Sequence, residues 1–249
     1  MNLPADPLGG TRGVDATRIA VNLREVKQRL AIAAASAGRS ADEIQIIAIS
    51  KTFPVDSVLG AAAAGQLQFG ENRVQEAEAK ILALRDLSPG LEWHLVGHLQ
   101  TNKARLAAGL FDVVHSLDSL RLAAKLNEAR STDKHVLRVL LQVDLGHEPT
   151  KYGAGLEEVR EILAAAPGLA RLRIDGLMTL PPFFEDPEDA RPYFSSLRKM
   201  RDDLEAERPG CLGHRHLSMG MSHDFEVAVE EGATMVRIGT AIFGSRNHG

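Results

Sequence analysis

The feature that most restricts what this chain can fold into is a rhythm. From about residue 44 onward, short apolar runs rich in β-branched residues alternate with stretches of helical periodicity. The apolar runs fall at 44–50, 68–70, 93–97, 113–115, 136–143, 172–177, 214–218 and 235–238, and the helical stretches between them at 55–64, 74–84, 103–108, 119–129, 157–165, 190–207 and 225–231. A strand that returns to its sheet through a helix runs parallel to the strand before it, and a parallel sheet must be covered by helices. Eight strands in 249 residues predict an α/β fold, a single (β/α)8 TIM-type barrel, although an open doubly wound sheet shares the local pattern. Ahead of the first strand, Ile19, Leu23, Val26 and Leu30 step by four, three and four, which adds an N-terminal helix that Gly38 is placed to stop.

No linker rich in Pro, Gly or Ser divides the chain, so one domain over 14–249 is expected, after a flexible N-terminal tail at 1–13. Lys plus Arg number 29 against 33 for Asp plus Glu, so there is no general pull toward nucleic acid or an anionic membrane, and any phosphate must be held locally. The one cysteine, Cys211, forms no internal disulfide and offers too little thiolate for a zinc site. With no signal-like or membrane-spanning apolar segment, a cytoplasmic location follows as an expectation. The irregular stretch 181–187, with three prolines and two phenylalanines, reads equally as a surface loop or a mobile lid.

In a parallel barrel the functional side chains lie where strands end and loops begin. Strand one ends in Ile49-Ser50-Lys51-Thr52, placing a lysine where burial can free a nucleophilic amine; alone, such a lysine is more often a solvated surface residue. Strand seven ends in Ser218-Met219-Gly220-Met221-Ser222, and strand eight in Arg237-Ile238-Gly239-Thr240. Both are small, glycine-bearing turns that let backbone N–H groups approach an anion, with hydroxyls at Ser218, Ser222 and Thr240. Either turn alone would be only a tight turn. Together with the lysine, they favour a phosphorylated ligand, and a phosphate beside a lysine leaves two chemistries open: a Schiff-base aldolase, or pyridoxal 5′-phosphate (PLP).

Several separate blocks carry a family resemblance: Ala48-Ile49-Ser50-Lys51-Thr52, Phe69-Gly70-Glu71-Asn72-Arg73-Val74-Gln75-Glu76, Trp93-His94-Leu95-Val96-Gly97-His98-Leu99-Gln100-Thr101-Asn102-Lys103, and Leu217-Ser218-Met219-Gly220-Met221-Ser222. In this order they resemble the signatures of the pyridoxal phosphate homeostasis family, over about 14–244. The resemblance implies an alanine-racemase-like barrel of PLP fold type III. It implies Lys51 as the lysine holding PLP as a Schiff base, and Ser218, Gly239 and Thr240, with the Gly220 turn, as the phosphate cradle. It also implies Arg237 as partner of the pyridine nitrogen and Asn72 beside the cofactor. Met178, ending strand six, would pack on the PLP ring or simply fill the barrel mouth.

An arginine stays protonated, so a pyridine nitrogen facing it stays unprotonated and PLP becomes a weak electron sink. The expectation is therefore a monomeric carrier that maintains intracellular PLP and passes it to apo-enzymes, without robust catalysis. The rival is a PLP-dependent amino-acid racemase, which needs a second acid/base group; alanine racemases take a tyrosine from an extra domain for which this sequence has no room. Tyr152 follows strand five and is the one tyrosine near the expected active face; the other, Tyr193, is in helix 190–207. His214, His216 and His223 read as structural or surface histidines rather than metal ligands, and His94 and His98 as structural or pocket-lining. Glu71 and Glu76 read as acids at a helix start. Asp144 stands where the family usually has asparagine, and could pair with Lys151.

Overall fold

Asp15 opens the first helix by accepting the N–H of Thr17, and α1 (Ala16–Ser36) then buries the stripe Ile19, Leu23, Val26 and Leu30. The computed structural model describes residues 15–88, 90–146 and 152–245; the 1–13 tail and Lys151 lie outside the described residues. The strands are β1 (Gln45–Ile49), β2 (Gln68–Glu71), β3 (Glu92–Leu95), β4 (Val113–Leu117), β5 (Leu137–Gln142), β6 (Leu172–Met178), β7 (His216–Met221) and β8 (Met235–Ile238). All pair in parallel and in chain order, and β8 returns to β1 with Ile47 opposite Arg237, so the barrel is closed. Helices α2 (Val55–Ala63), α3 (Val74–Leu84), α4 (Ala104–Leu110), α5 (Leu120–Ala129), α6 (Leu156–Ala165), α7 (Arg191–Glu207) and α8 (Phe225–Glu230) form the outer layer, and a short α9 (Thr240–Phe243) follows β8. Helix α1 packs against α2, α8 and α9, covering the seam where β8 meets β1.

Alternation along each strand sorts the side chains into two layers. Ile46 and Ala48 of β1, Phe69 of β2, Trp93 and Leu95 of β3, and Val236 and Ile238 of β8 join the large cluster shared with the helices. The intervening residues face the barrel axis, where Ile47, Ile49, Val96, Leu140, Met178 and Met235 form a separate small cluster. The rest of the interior is polar: Glu92, His94, His115, Arg138, Ser218 and Arg237 fill the inward positions of β3, β4, β5, β7 and β8, and His94, His115 and Ser218 are fully buried. The barrel interior therefore combines a small apolar cluster with a buried, hydrogen-bonded polar strip.

The structure moves one strand boundary that matters. The 214–218 run begins and ends too early: β7 runs His216–Met221, so the glycine taken for a turn lies within the strand. Gly220 sits at φ +87°, the β7–β8 register shifts between Ser218 and Met221, and a Cβ at Gly220 would stand 2.6 Å from that of Ala228 on α8. It is a bulge that admits α8 close to the sheet. Among the described residues, no helix is long and apolar enough to cross a membrane.

Candidate functional site

The turn carrying Lys51 is fastened from below by a cluster that the sequence reading missed. Glu71 is no helix-start acid: it is the last residue of β2, fully buried, and accepts from the Ser50 hydroxyl at 2.6 Å and from Lys80 at 2.7 Å. Lys80, itself buried, also donates to the Ser50 carbonyl at 2.6 Å and to Glu76 at 3.1 Å, and Glu76 accepts the backbone N–H of Thr52. Both residues flanking Lys51 are thus held, and Thr52 is kept in the left-handed region at φ 68°, a conformation a β-branched residue takes only when its surroundings impose it. Burial raises the Glu71 carboxyl above its ordinary value, against the opposing pull of Lys80 and Ser50. The spacing from Glu76 to Lys80 is the i,i+4 step of a helical ion pair, the one sequence signal that pointed here. Lys51 is half-buried and continues the row begun by Ile47 and Ile49.

Across the mouth, β8 contributes a buried cation. Arg237 is 4% exposed and donates through Nη1 to Ser218 Oγ at 2.7 Å and through Nη2 to the Thr179 carbonyl at 2.9 Å. Burial lowers its guanidinium to about 10, which leaves it charged at neutral pH. Ser218 is also 2.9 Å from His115 Nδ1, His115 Nε2 is 2.8 Å from His94 Nδ1, and His94 Nε2 is 2.7 Å from Glu92 Oε1. Burial pushes both imidazoles below their ordinary value, so both are neutral. Burial opposes the charge on Glu92, yet His94 and Arg138 hold its carboxyl down to about 2.

Beside this strip two backbone donors converge on one oxygen. The backbone N–H groups of Gly239 and Ala241 both donate to Ser222 Oγ, at 3.2 and 3.3 Å. One hydroxyl oxygen gathers two amides from a single turn of backbone, as a phosphate oxygen would. A Cβ at Gly239 would stand 3.5 Å from the Cβ of Ile49, and so would fill space at the mouth between β8 and β1. The hydroxyl found with these amides is that of Ser222, one of the three the sequence offered, whereas Ser218, assigned to the same cradle, is engaged by Arg237 and His115. The reason is the β7 boundary: Ser218 is an inward residue in mid-strand rather than a turn residue.

The remaining predicted residues are placed as follows. Thr240 begins α9 and is exposed, and Met178 is fully buried in the inner cluster at the end of β6. Asn72 follows β2 and lines a rim cleft of about 520 Å³ together with Arg73, Gly97, His98, Lys103 and Tyr152. Gly97 fits there only as glycine, since a Cβ would lie 2.3 Å from the Asn72 carbonyl oxygen. Tyr152 is 57% exposed and stacks on His98 at 3.5 Å between ring centroids. Phe184 packs on Tyr193, while Phe183 and His223 meet at 5.4 Å; His214 stacks on His216 and pairs with Asp175.

A closed parallel barrel with a lysine after its first strand, a buried arginine in its last, and a pair of convergent amides just beyond it defines a class. The family model for the N-terminal domain of alanine racemase matches residues 14–247. Within that class, the chain is similar to the pyridoxal phosphate homeostasis protein of Aquifex aeolicus, with 44% identity covering 91% of this chain and 97% of that one. It is also 44% identical to the protein of that name from Escherichia coli K12, over 92% of this chain and 97% of its relative. Among solved structures, PipY of Synechococcus elongatus PCC7942 with PLP bound superposes with a TM-score of 0.79 at 38% identity, covering 91% of this chain and all of that one. The chain belongs to the pyridoxal phosphate homeostasis protein family.

Proposed function

We propose that this protein binds PLP covalently at Lys51 and maintains its intracellular supply, holding the cofactor rather than using it to transform amino acids. What supports the reading is that Lys51 follows β1, the strand paired with β8, and that β8 carries the buried Arg237 guanidinium and leads into the two amides on Ser222. When bound, the cofactor supplies an aldehyde that condenses reversibly with a primary amine. The protein's part is to orient it. Lys51 is the attachment point, on a turn fixed by Glu71, Glu76 and Lys80. The N–H groups of Gly239 and Ala241, with the Ser222 and Thr240 hydroxyls, hold the phosphate; the Gly220 bulge aims the end of β7 at them. Asn72 flanks the ring on one side, and Met178 supports the apolar floor.

Arg237 decides between holding and transforming. Fully buried and still charged near neutrality, it presents only donors to a ring nitrogen, which then keeps its lone pair and stays unprotonated. A ring in that state withdraws electrons weakly, so carbanion chemistry at a bound amino acid is disfavoured. Tyr152, the candidate second acid/base, spends its ring face on His98. We place the protein in the cytoplasm as a monomer that passes PLP to apo-enzymes, which sedimentation and a transfer assay to an apo-transaminase test directly.

The deciding measurement is the absorption spectrum with added PLP, before and after borohydride, for wild type and Lys51→Ala. A near-visible band trapped on Lys51 and missing from the variant is expected. A wild type that forms no Lys51 adduct refutes the reading, and sustained exchange of the Cα proton of amino acids at enzymatic rates would refute the carrier role alone.

A further inference from the structure

The polar strip inside the barrel has a direction that follows from its two ends. Glu92 is held as a carboxylate by His94 and Arg138, and so can only accept; Arg237 can only donate. His94 must therefore donate from Nε2 to Glu92, which, the ring being neutral, leaves its Nδ1 an acceptor. His115 must then donate from Nε2 to that Nδ1, leaving its own Nδ1 to accept. The Ser218 hydroxyl must give its proton to His115, and its oxygen then accepts from Arg237. Every proton along the four bonds points the same way, from the arginine toward the carboxylate. No other neutral arrangement satisfies all five groups.

We propose that Glu92, His94 and His115 are positioning residues for the cofactor, acting through Ser218 and Arg237. They fix both imidazole tautomers, commit the Ser218 proton inward, and leave Arg237 the one donor of the strip facing the pyridine edge. Ser218 then offers only lone pairs toward the mouth and donates neither to a ring nitrogen nor to a phosphate. The inference rests on the proposed placement of PLP against Arg237.

Glu92→Gln is an isosteric test with an unusual prediction. Arg138 donates to Glu92 Oε2 at 2.7 Å while His94 meets Oε1. In the variant the arginine claims the amide oxygen, and the amide NH2 turns to His94. His94 Nε2 must then accept, His94 Nδ1–H donates to His115, His115 Nδ1–H donates to Ser218, and the serine proton is released toward the mouth. The three bonds from residue 92 to Ser218 reverse, while Arg237 still donates to the serine oxygen.

Nitrogen-15 NMR of the full-length protein reads this directly. Both histidines of the wild type are expected as neutral Nε2–H tautomers, and both as Nδ1–H in Glu92→Gln. With PLP added, the variant is expected to shift the absorption band of the Lys51-bound cofactor and to bind it roughly two- to tenfold more weakly, the range of one net hydrogen bond. A wild-type His94 or His115 in the Nδ1–H or charged form overturns the strip, as does a variant whose tautomers do not change. Reversed tautomers with an unchanged PLP band and affinity overturn the positioning role while leaving the PLP-carrier reading intact. Absence of any Lys51-dependent band in the wild type fails that reading itself, and with it the role assigned here.

Discussion

Replacing Lys80 by methionine isolates the cluster under the Lys51 turn. Methionine retains most of the aliphatic volume, so the cavity contribution is small and the electrostatic one dominates. Glu71 is fully buried and its Oε2 has no hydrogen-bond partner, so without Lys80 the carboxylate retains the Ser50 hydroxyl alone. Removing one partner of a buried pair costs about 3–5 kcal/mol, which for a domain of this size lowers Tm by roughly 6–20 °C. The loss depends on pH with a definite sign. Burial already raises the folded pKa of Glu71 above its ordinary 4.5, and removing Lys80 takes away a contribution that lowers it. The folded state then binds more protons than the unfolded state, and stability falls as pH rises from the unfolded value through the folded one. Urea unfolding should therefore show the largest deficit near pH 8, shrinking toward pH 5 as Glu71 takes up a proton. The double variant Glu71→Gln/Lys80→Met, which buries no charge, should recover most of it. A deficit under about 1 kcal/mol at pH 8, or one independent of pH, would refute the argument that Lys80 compensates a buried carboxylate.

Gly97→Ala places a methyl group 2.3 Å from the Asn72 carbonyl, so about 1–3 kcal/mol of overpacking should accompany weakened PLP binding, with denaturant titration and spectral titration read on the same sample. Phe69→Ala empties a fully buried site against Trp93 in the outer layer and should cost about 3–5 kcal/mol while leaving the band of bound PLP in place, since Phe69 faces away from the axis. Burial, reinforced by Glu205, raises the Cys211 thiol to about 11; alkylation at pH 8 should run roughly a hundredfold slower than for a peptide thiol and recover in urea.

What the sequence revealed and what it hid follow from the range of the interactions concerned. The βα rhythm and the amphipathic stripe of α1 are local periodicities, and the barrel follows from them because parallel strands must be covered by helices. Lys51, Arg237 and Gly239 were legible as residues at strand ends. The β7 boundary was misplaced because of Gly220, whose one symbol stands equally for a turn and for a bulge; only the approach of Ala228 distinguishes them. His115 stood in the sequence as the end of a short apolar run, since its hydrogen-bond partners lie 21 and 103 residues away. Glu71 and Lys80 are nine residues apart, but on a strand and a helix whose angle no periodicity encodes.

The interior of the barrel connects these pieces into one physical account. A guanidinium in a low-dielectric interior is costly, and burial does pull Arg237 down to about 10. It nevertheless remains charged near neutrality: Ser218 and the Thr179 carbonyl take two of its donors, and the Asp224 carboxylate opposes the pull of burial. The inner cluster of Ile47, Ile49, Leu140 and Met178 makes the rest of the surrounding interior apolar. In the proposed placement of PLP, a basic ring nitrogen meets a donor that will not surrender its proton, backed by a serine whose own proton is already committed. Such an environment stabilises the ring in its electron-rich form. That form suits keeping a reactive aldehyde on a lysine better than drawing charge out of a substrate.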